Sequence, residues 1–261
     1  MFPLRDENPT VRTPVATFAI IALNAASWVF LQGLGTTAGL ARSLCAFGLI
    51  PGDLLGHVPD GTIVPLGDQA QCVIEGSGAI ITPLTSMFMH GGWFHIIGNM
   101  WFLWVFGDNV EDAMGAVRFV IFYVFCGLEA AAAQVATDPA RTIPMVGASG
   151  AIGGVMGGYA RLYPRARIET LLPLGFYFTT IAVPAYFMLG YWFLIQVLGG
   201  IPALAGAGGG VAFWAHVGGF LAGVILVGPF HRPALLADHR ARCARPILNL
   251  GEGAPSIGGP R

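Results

Sequence analysis

Residues 146–162 read VGASGAIGGVMGGYARL. Six of them are glycine, at positions 147, 150, 153, 154, 157 and 158. So much glycine is poor helix material on intrinsic propensity, and it offers lipid tails little surface. It suits a helix set among other helices, where bare backbone lets neighbours approach closely. Pairs of small residues four apart recur at 150/154, 153/157 and 154/158. The expectation is a bundle packed around a glycine-rich central helix.

The rest of the chain supports a bilayer setting. Of 261 residues, 55% are hydrophobic and 10% charged, against roughly 45–50% and 25% in soluble chains. Mean hydropathy is +0.68. Such a chain cannot cover a water-facing surface, and it is too apolar for disorder over most of its length. A net charge of −1 gives no basic field for nucleic acid. The four cysteines (Cys45, Cys72, Cys126, Cys243) form no C-x-x-C pair, so no zinc or redox motif is expected. The polar stretch before the first apolar run is too long for a cleaved signal peptide.

Six apolar segments are long enough to read as spans, at about 14–33, 84–107, 117–137, 146–162, 175–199 and 211–230. The fold expected is an all-α integral membrane protein, a six-helix transmembrane bundle with the glycine-rich fourth helix at its centre. Pro184 would kink the fifth span. Residues 1–13 would be a cytoplasmic segment, 14–230 the membrane domain with a long outer loop at 34–83, and 231–261 a largely disordered cytoplasmic tail. Arginine counting sets the orientation. With the N-terminus inside, eleven of the 13 arginines lie inside and only Arg42 and Arg141 outside. The loop 34–83 is then outer and acidic, with Asp53, Asp60, Asp68 and Glu75. Its Cys45 and Cys72 either form a disulfide or remain as two buried thiols; spacing does not decide.

Strongly polar residues inside spans are costly and default to functional candidates. Here they are His90, His95, Asn99, Glu129, Ser149 and His216. Ser149 alone reads more readily as a small packing residue. His216 changes its meaning, because it lies near the same membrane surface on a helix with its own small-residue face, Gly219 and Gly223. A serine beside a neutral imidazole is the minimum for nucleophilic catalysis, since the base accepts the hydroxyl proton during attack. His95 and Asn99, four apart, share a helix face and can both donate hydrogen bonds to a developing oxyanion. The Ser149 backbone N–H, at a helix N-terminus, is a third donor. Taken alone, His95 and Asn99 also read as an interhelical polar clamp. His90 reads as structural, holding the adjoining loop. Glu129 reads as a buried hydrogen-bonding residue away from this cluster. No similar halves with paired broken helices appear, which disfavours a transporter.

These residues resemble the rhomboid intramembrane serine proteases. The second span carries H-x(4)-H-x(3)-N as His90, His95 and Asn99. The fourth carries G-x-S-G as Gly147 to Gly150. The sixth carries A-H-x-x-G-x-x-x-G as Ala215, His216, Gly219 and Gly223. The resemblance implies hydrolysis of peptide bonds in or beside the transmembrane helices of protein substrates, within the lipid bilayer, with no metal or cofactor. It implies Ser149 as nucleophile, His216 as general base and then acid, and His95, Asn99 and the Ser149 N–H as the oxyanion hole. Gly147, Gly150, Gly154, Gly219 and Gly223 would be packing residues. The fifth span and the glycine-rich segment 200–210 would form a mobile gate and cap. The six-span form is similar to the simple bacterial one, implying a bacterial plasma (inner) membrane with both termini cytoplasmic. Two departures stand out. The Trp-Arg pair that many relatives carry before the second-span motif is missing at Ile80–Leu84. Some relatives have an aromatic residue four after the nucleophile; here that position is Gly153.

Overall fold

The computed structural model describes residues 1–66, 70–74, 80–204 and 210–243. Strand β1 (Phe2–Asp6) precedes helix α1 (Val15–Ala26), which winds on as a π turn to Leu31. The segment between the first and second long helices contains α2 (Thr37–Phe47), α3 (Pro51–Leu54), the strand pair β2 (Ile63–Pro65) and β3 (Gln71–Val73), and α4 (Thr82–Thr85). Long helices α5 (Trp93–Met114) and α6 (Ala116–Thr137) lead to α7 (Ser149–Leu162). A hairpin of β4 (Arg167–Leu174) and β5 (Tyr177–Pro184) follows, then α8 (Ala185–Leu204), α9 (Phe213–Phe230) and α10 (Pro233–Cys243).

Three helices, α6, α8 and α9, are long and apolar enough to cross a membrane among the described residues. Helix α5 is long but ends in Asp108, Glu111 and Asp112, and α7 has only 14 residues, about 21 Å at 1.5 Å per residue. Nearly every α7 side chain is buried, and the helix packs against α5, α6, α8 and α9. The glycine-rich helix is therefore central.

Several sequence expectations need correction. The fold is mostly helical but not all-α. A three-stranded antiparallel sheet, in the order β1–β4–β5, lies at the C-terminal end of α7. The apolar run from 175 is not the start of a helical fifth span, since residues 177–184 are strand and the helix begins at Ala185. Pro184 ends β5 instead of kinking a helix. The run LLPLGFYFTTIAVP is as apolar as a span, so hydropathy alone could not separate the two. What decides is Gly175, at φ +64° in the two-residue turn between Leu174 and Tyr177, with threonine and β-branched residues beyond it. The second span starts at Trp93; the residues before it form α4 and a short 3₁₀ turn. The tail opens with α10, a docked helix, where disorder was expected. Arg12 pairs with Asp238, and the His239 ring meets the Pro9 carbonyl at 3.1 Å. Residues 244–261 lie outside the described residues, as do Asp68 and Glu75 of the acidic loop and residues 205–209 of the expected cap.

Two interactions fix the ends of the bundle. Helix α1 starts after Pro14 with no side-chain cap of its own. Its first N–H groups are satisfied by Glu111 of α5, whose carboxylate accepts from Ala16 N at 2.9 Å, Thr17 N at 2.8 Å and Thr17 Oγ1 at 2.8 Å. A negative charge at a helix N-terminus is favourable, so one side chain caps α1 and joins it to α5. At the other end, Cys45 of α2 is disulfide-bonded to Cys72 of β3, with Cα atoms 5.5 Å apart. This resolves the alternative left by spacing.

The N-terminal strand is held by a titrating contact. Asp6 accepts a hydrogen bond from the Tyr159 hydroxyl. Burial, opposed by that bond and reinforced by the nearby Asp108 charge, pushes the Asp6 carboxyl up to about 7 from 3.8. The folded chain thus holds this proton more tightly than the unfolded chain does. Stability conferred by Asp6 is complete at pH values below about 4 and declines as pH rises to about 7, then levels off. Thermal unfolding of the detergent-solubilised protein should show a midpoint falling across that window, and Asp6→Asn should flatten the dependence.

Candidate functional site

Ser149 is the first residue of α7, and His216 lies in the first turn of α9. Glycine brings them together. A Cβ added at Gly219 would run into the Gly150 carbonyl oxygen, one at Gly223 into the Gly154 carbonyl, and one at Gly157 into the Phe220 carbonyl. On its other side, Gly150 meets Ala130 and Gly154 meets Cys126 of α6. The backbones of α7 and α9 therefore touch, and their N-terminal ends share a level. There the Ser149 Oγ to His216 Nε2 distance is 2.7 Å. Gly147 differs from the other four glycines. It precedes the helix at φ +126°, and a Cβ there would fall 2.7 Å from His95 Nε2 and 3.5 Å from Ser149 Oγ. Its bare backbone gives His95 room beside the serine and does not serve helix packing.

The other face of the His216 ring is held by residues that sequence reading missed. His216 Nδ1 lies 2.7 Å from Gln196 Oε1 of α8. The Gln196 amide nitrogen donates to the Trp192 carbonyl at 3.5 Å, which leaves Oε1 as the acceptor. Nδ1 then carries the proton, and Nε2 presents a lone pair to the serine hydroxyl. The Trp192 ring lies 5.9 Å from the imidazole. It also lies against Gly153, where a Cβ would meet it at 3.6 Å. The support that some relatives take from an aromatic residue at position 153 comes here from α8. The available signal was Gln196 itself, a lone amide within a stretch that carries no charge from Thr170 to His231.

His95 and Asn99 line one cavity with Ser149, Trp192, Gln196 and His216, of about 720 Å³. His95 Nδ1 accepts from the Gly91 N–H at 3.2 Å, so Nε2 carries the hydrogen and faces the Gly147–Ser149 side. Asn99 is buried, and its Nδ2 meets no acceptor among the described residues. His90 stands behind His95 with ring centroids 5.2 Å apart. Gln32 clamps its backbone, accepting from His90 N at 2.9 Å and donating to His90 O at 2.7 Å. That is a loop-holding arrangement. Glu129 is exposed on α6, not buried as expected, and takes no part in the cluster.

A profile of the Rhomboid domain matches residues 77–233. The chain belongs to the rhomboid family. Rhomboid-like protein 11, chloroplastic, of Arabidopsis thaliana is 29% identical over 153 residues, which is 55% of this chain and 50% of that protein. Rhomboid protein 1, mitochondrial, of Saccharomyces cerevisiae is 30% identical over 151 residues, 56% of this chain and 40% of that protein. Presenilin-associated rhomboid-like protein, mitochondrial, of Mus musculus is 33% identical over 100 residues, 37% of this chain and 26% of that protein. The chain thus spans half or less of the length of these relatives. Their names give the bacterial inner membrane no support; the family and the apolar helices support an integral membrane protein.

The glycine contacts make a direct prediction. Gly223→Ala should lose about 3 kcal/mol or more of stability, because the added methyl meets backbone and not a movable side chain. Gly190→Ala in α8, with nothing within 4 Å of its added Cβ, should lose no stability and gain up to about 1 kcal/mol from helix propensity. Unfolding midpoints of the two purified variants check the contrast.

Proposed function

We propose that this rhomboid is an active intramembrane serine endopeptidase that cleaves transmembrane protein substrates with a Ser149–His216 dyad. The observation that carries the reading is the 2.7 Å contact between Ser149 Oγ and His216 Nε2, with Nδ1 held at 2.7 Å by Gln196. Family membership suggests proteolysis, but some rhomboid-like proteins are inactive. A nucleophile and base in hydrogen-bond contact, with the base oriented by a third group, favour activity.

The chemistry follows from the placement. Ser149 Oγ attacks the scissile carbonyl carbon while His216 Nε2 takes the hydroxyl proton. The carbonyl oxygen becomes an oxyanion, for which the Ser149 N–H, His95 Nε2–H and Asn99 Nδ2–H are the donors. The C–N bond then breaks, and His216 returns the proton to the leaving amine. Water, deprotonated by His216, then attacks the acyl carbon; the Ser149 Oγ–acyl bond breaks, His216 returns the proton to Oγ, and the new carboxyl terminus is released. Gln196 is a positioning residue: it fixes the tautomer but, being neutral, does not offset the imidazolium charge.

The six helical segments α1, α5, α6, α7, α8 and α9 would be the crossings, with both termini on the arginine-rich side. Helix α7 is shorter than the ~30 Å hydrocarbon core, so its N-terminal serine is below the membrane surface and must be reached through the cavity. A substrate helix must unwind to expose its peptide bond there. Substrates with Gly or Pro near the cut should be cleaved faster than matched helical ones.

A fluorophosphonate probe tests the dyad on the purified protein in detergent. Wild type should label, and both Ser149→Ala and His216→Ala should lose labelling. Labelling that survives Ser149→Ala would place the nucleophile elsewhere. Gln196→Leu should slow labelling by about 10–100-fold, and Gln196→Glu, which keeps an acceptor facing Nδ1, should recover most of it. Equal rates in Gln196→Leu and wild type would remove Gln196 from the site.

A further inference from the structure

The β4–β5 hairpin is segregated along its length. Its base is ionic: Arg5 Nε meets Glu169 Oε2 at 2.8 Å, and Arg167 Nε meets Glu7 Oε2 at 3.8 Å. Beyond Glu169 it carries no charge. At the tip, Phe176 is 100% exposed, Tyr177 80% and Phe178 70%. On a protein surface in water, three consecutive exposed aromatic residues on a turn are anomalous.

We propose that the hairpin is a membrane anchor whose aromatic tip, Phe176 to Phe178, is buried in the lipid leaflet beside the C-terminal end of α7. Continuity of surface identifies lipid as the partner. Strand β5 passes into α8 with no linker, since Pro184 ends one and Ala185 starts the other. Helix α8 is apolar and long enough to span, and its first turn exposes Tyr186 and Phe187. Between the tip and the helix, Ile181 of β5 is 39% exposed, so exposed apolar side chains recur along the chain from Phe176 to Phe187. The charge pattern agrees, with ion pairs at the wet base and aromatic side chains at the other end, of the kind enriched at membrane–water interfaces. The free edge of β5 sets the depth. Unpaired backbone groups are not tolerated facing hydrocarbon, so the tip rests at the headgroup–acyl boundary, where water and headgroups satisfy that edge.

The anchor bears on the site through α8. The hairpin base is tied to the end of α7 by Ala185 N–H to Ala166 O at 2.8 Å and Tyr186 N–H to Pro164 O at 3.0 Å. Strand β5 runs from the tip into the first turn of α8, so the tip gives the helix that carries Trp192 and Gln196 a second attachment, in lipid, one strand length from its foot.

A nitroxide at Phe176→Cys, in the full chain with Cys243→Ser, reports the environment after reconstitution in phosphatidylcholine–phosphatidylglycerol vesicles. Cys126 is buried and does not compete. Collision rates with oxygen and with a neutral nickel chelate are compared with Asp60→Cys as the aqueous reference and Leu198→Cys as the lipid reference. The expected result is oxygen access approaching that at Leu198 and nickel access at least several-fold below that at Asp60. Nickel access equal to that at Asp60 overturns the anchor in favour of a water-exposed tip. Low access to both reagents overturns it in favour of a protein contact, such as a second copy of the chain. Tyr177→Cys gives the same reading if Phe176→Cys does not fold.

Discussion

Everything at the site depends on two helix backbones touching. Between α7 and α9 there is no layer of side chains at Gly150, Gly154 and Gly157 on one helix or at Gly219 and Gly223 on the other. In a bilayer the hydrophobic effect does not drive helices together, because lipid tails are as apolar as the side chains they would replace. What remains is close van der Waals contact, and glycine maximises it. The cost is intrinsic helix propensity, about 1 kcal/mol per glycine against alanine in water. Packing on four neighbouring helices can offset that cost for α7. The same contact sets the Ser149–His216 distance, because a serine hydroxyl and an imidazole are short groups. Had the helices packed through alanine or leucine, the axes would stand further apart and 2.7 Å between Oγ and Nε2 would be out of reach.

Helix α8 completes what α7 and α9 begin. It meets α9 far more sparingly than α7 does, yet it supplies both groups that touch the outer side of His216. An amide at Nδ1 differs in kind from a carboxylate. It orders the ring and selects the tautomer, but adds no negative charge to a site surrounded by apolar helices. A buried carboxylate without a matching cation would be costly to maintain there. Gln196 meets the geometric need without that cost. The proton on Nδ1 then follows from the donor of Gln196 being committed to Trp192.

The elements that could be read from the sequence are those whose signal is local. Helices α6, α7 and α9 follow from apolar length and glycine spacing. Ser149, His95, Asn99 and His216 were legible because polar groups in apolar helices are rare. The β4–β5 hairpin was not, because the run 171–184 is as apolar as a span and its turn is marked only by Gly175, one glycine among 38 in the chain. Gln196 was missed for a related reason. Its role depends on the angle at which α8 meets α9, which no spacing along the chain encodes. Glu129 shows the converse: an acid in an apolar helix invites a buried role, and the helix turns it outward instead. Position 153 combines both lessons, since its glycine looks like a lost aromatic support until Trp192 is seen to occupy the space.

The two ends of the molecule are built on opposite principles. The end bearing Ser149 is joined by glycine contact, by Gln32 on the His90 backbone and by the Cys45–Cys72 bond, none of which carries charge. The other end is joined by charge: Glu111 caps α1, Asp112 accepts from the Val11 and Arg12 N–H groups, Asp6 meets Tyr159, and α10 is tied in through Asp238. Electrostatic ties respond to pH and salt, whereas backbone contact between glycines does not. Titration at the charged end therefore reaches the serine only by loosening the helices that carry it. Of those helices α8 is the most exposed to such loosening, since few contacts hold it to the bundle and its lower end is fixed by the sheet that β1 completes. Its two ring-facing residues lie in its middle, so the contact at His216 Nδ1 depends on where the sheet seats α8, whereas the glycine contact between α7 and α9 is made without it.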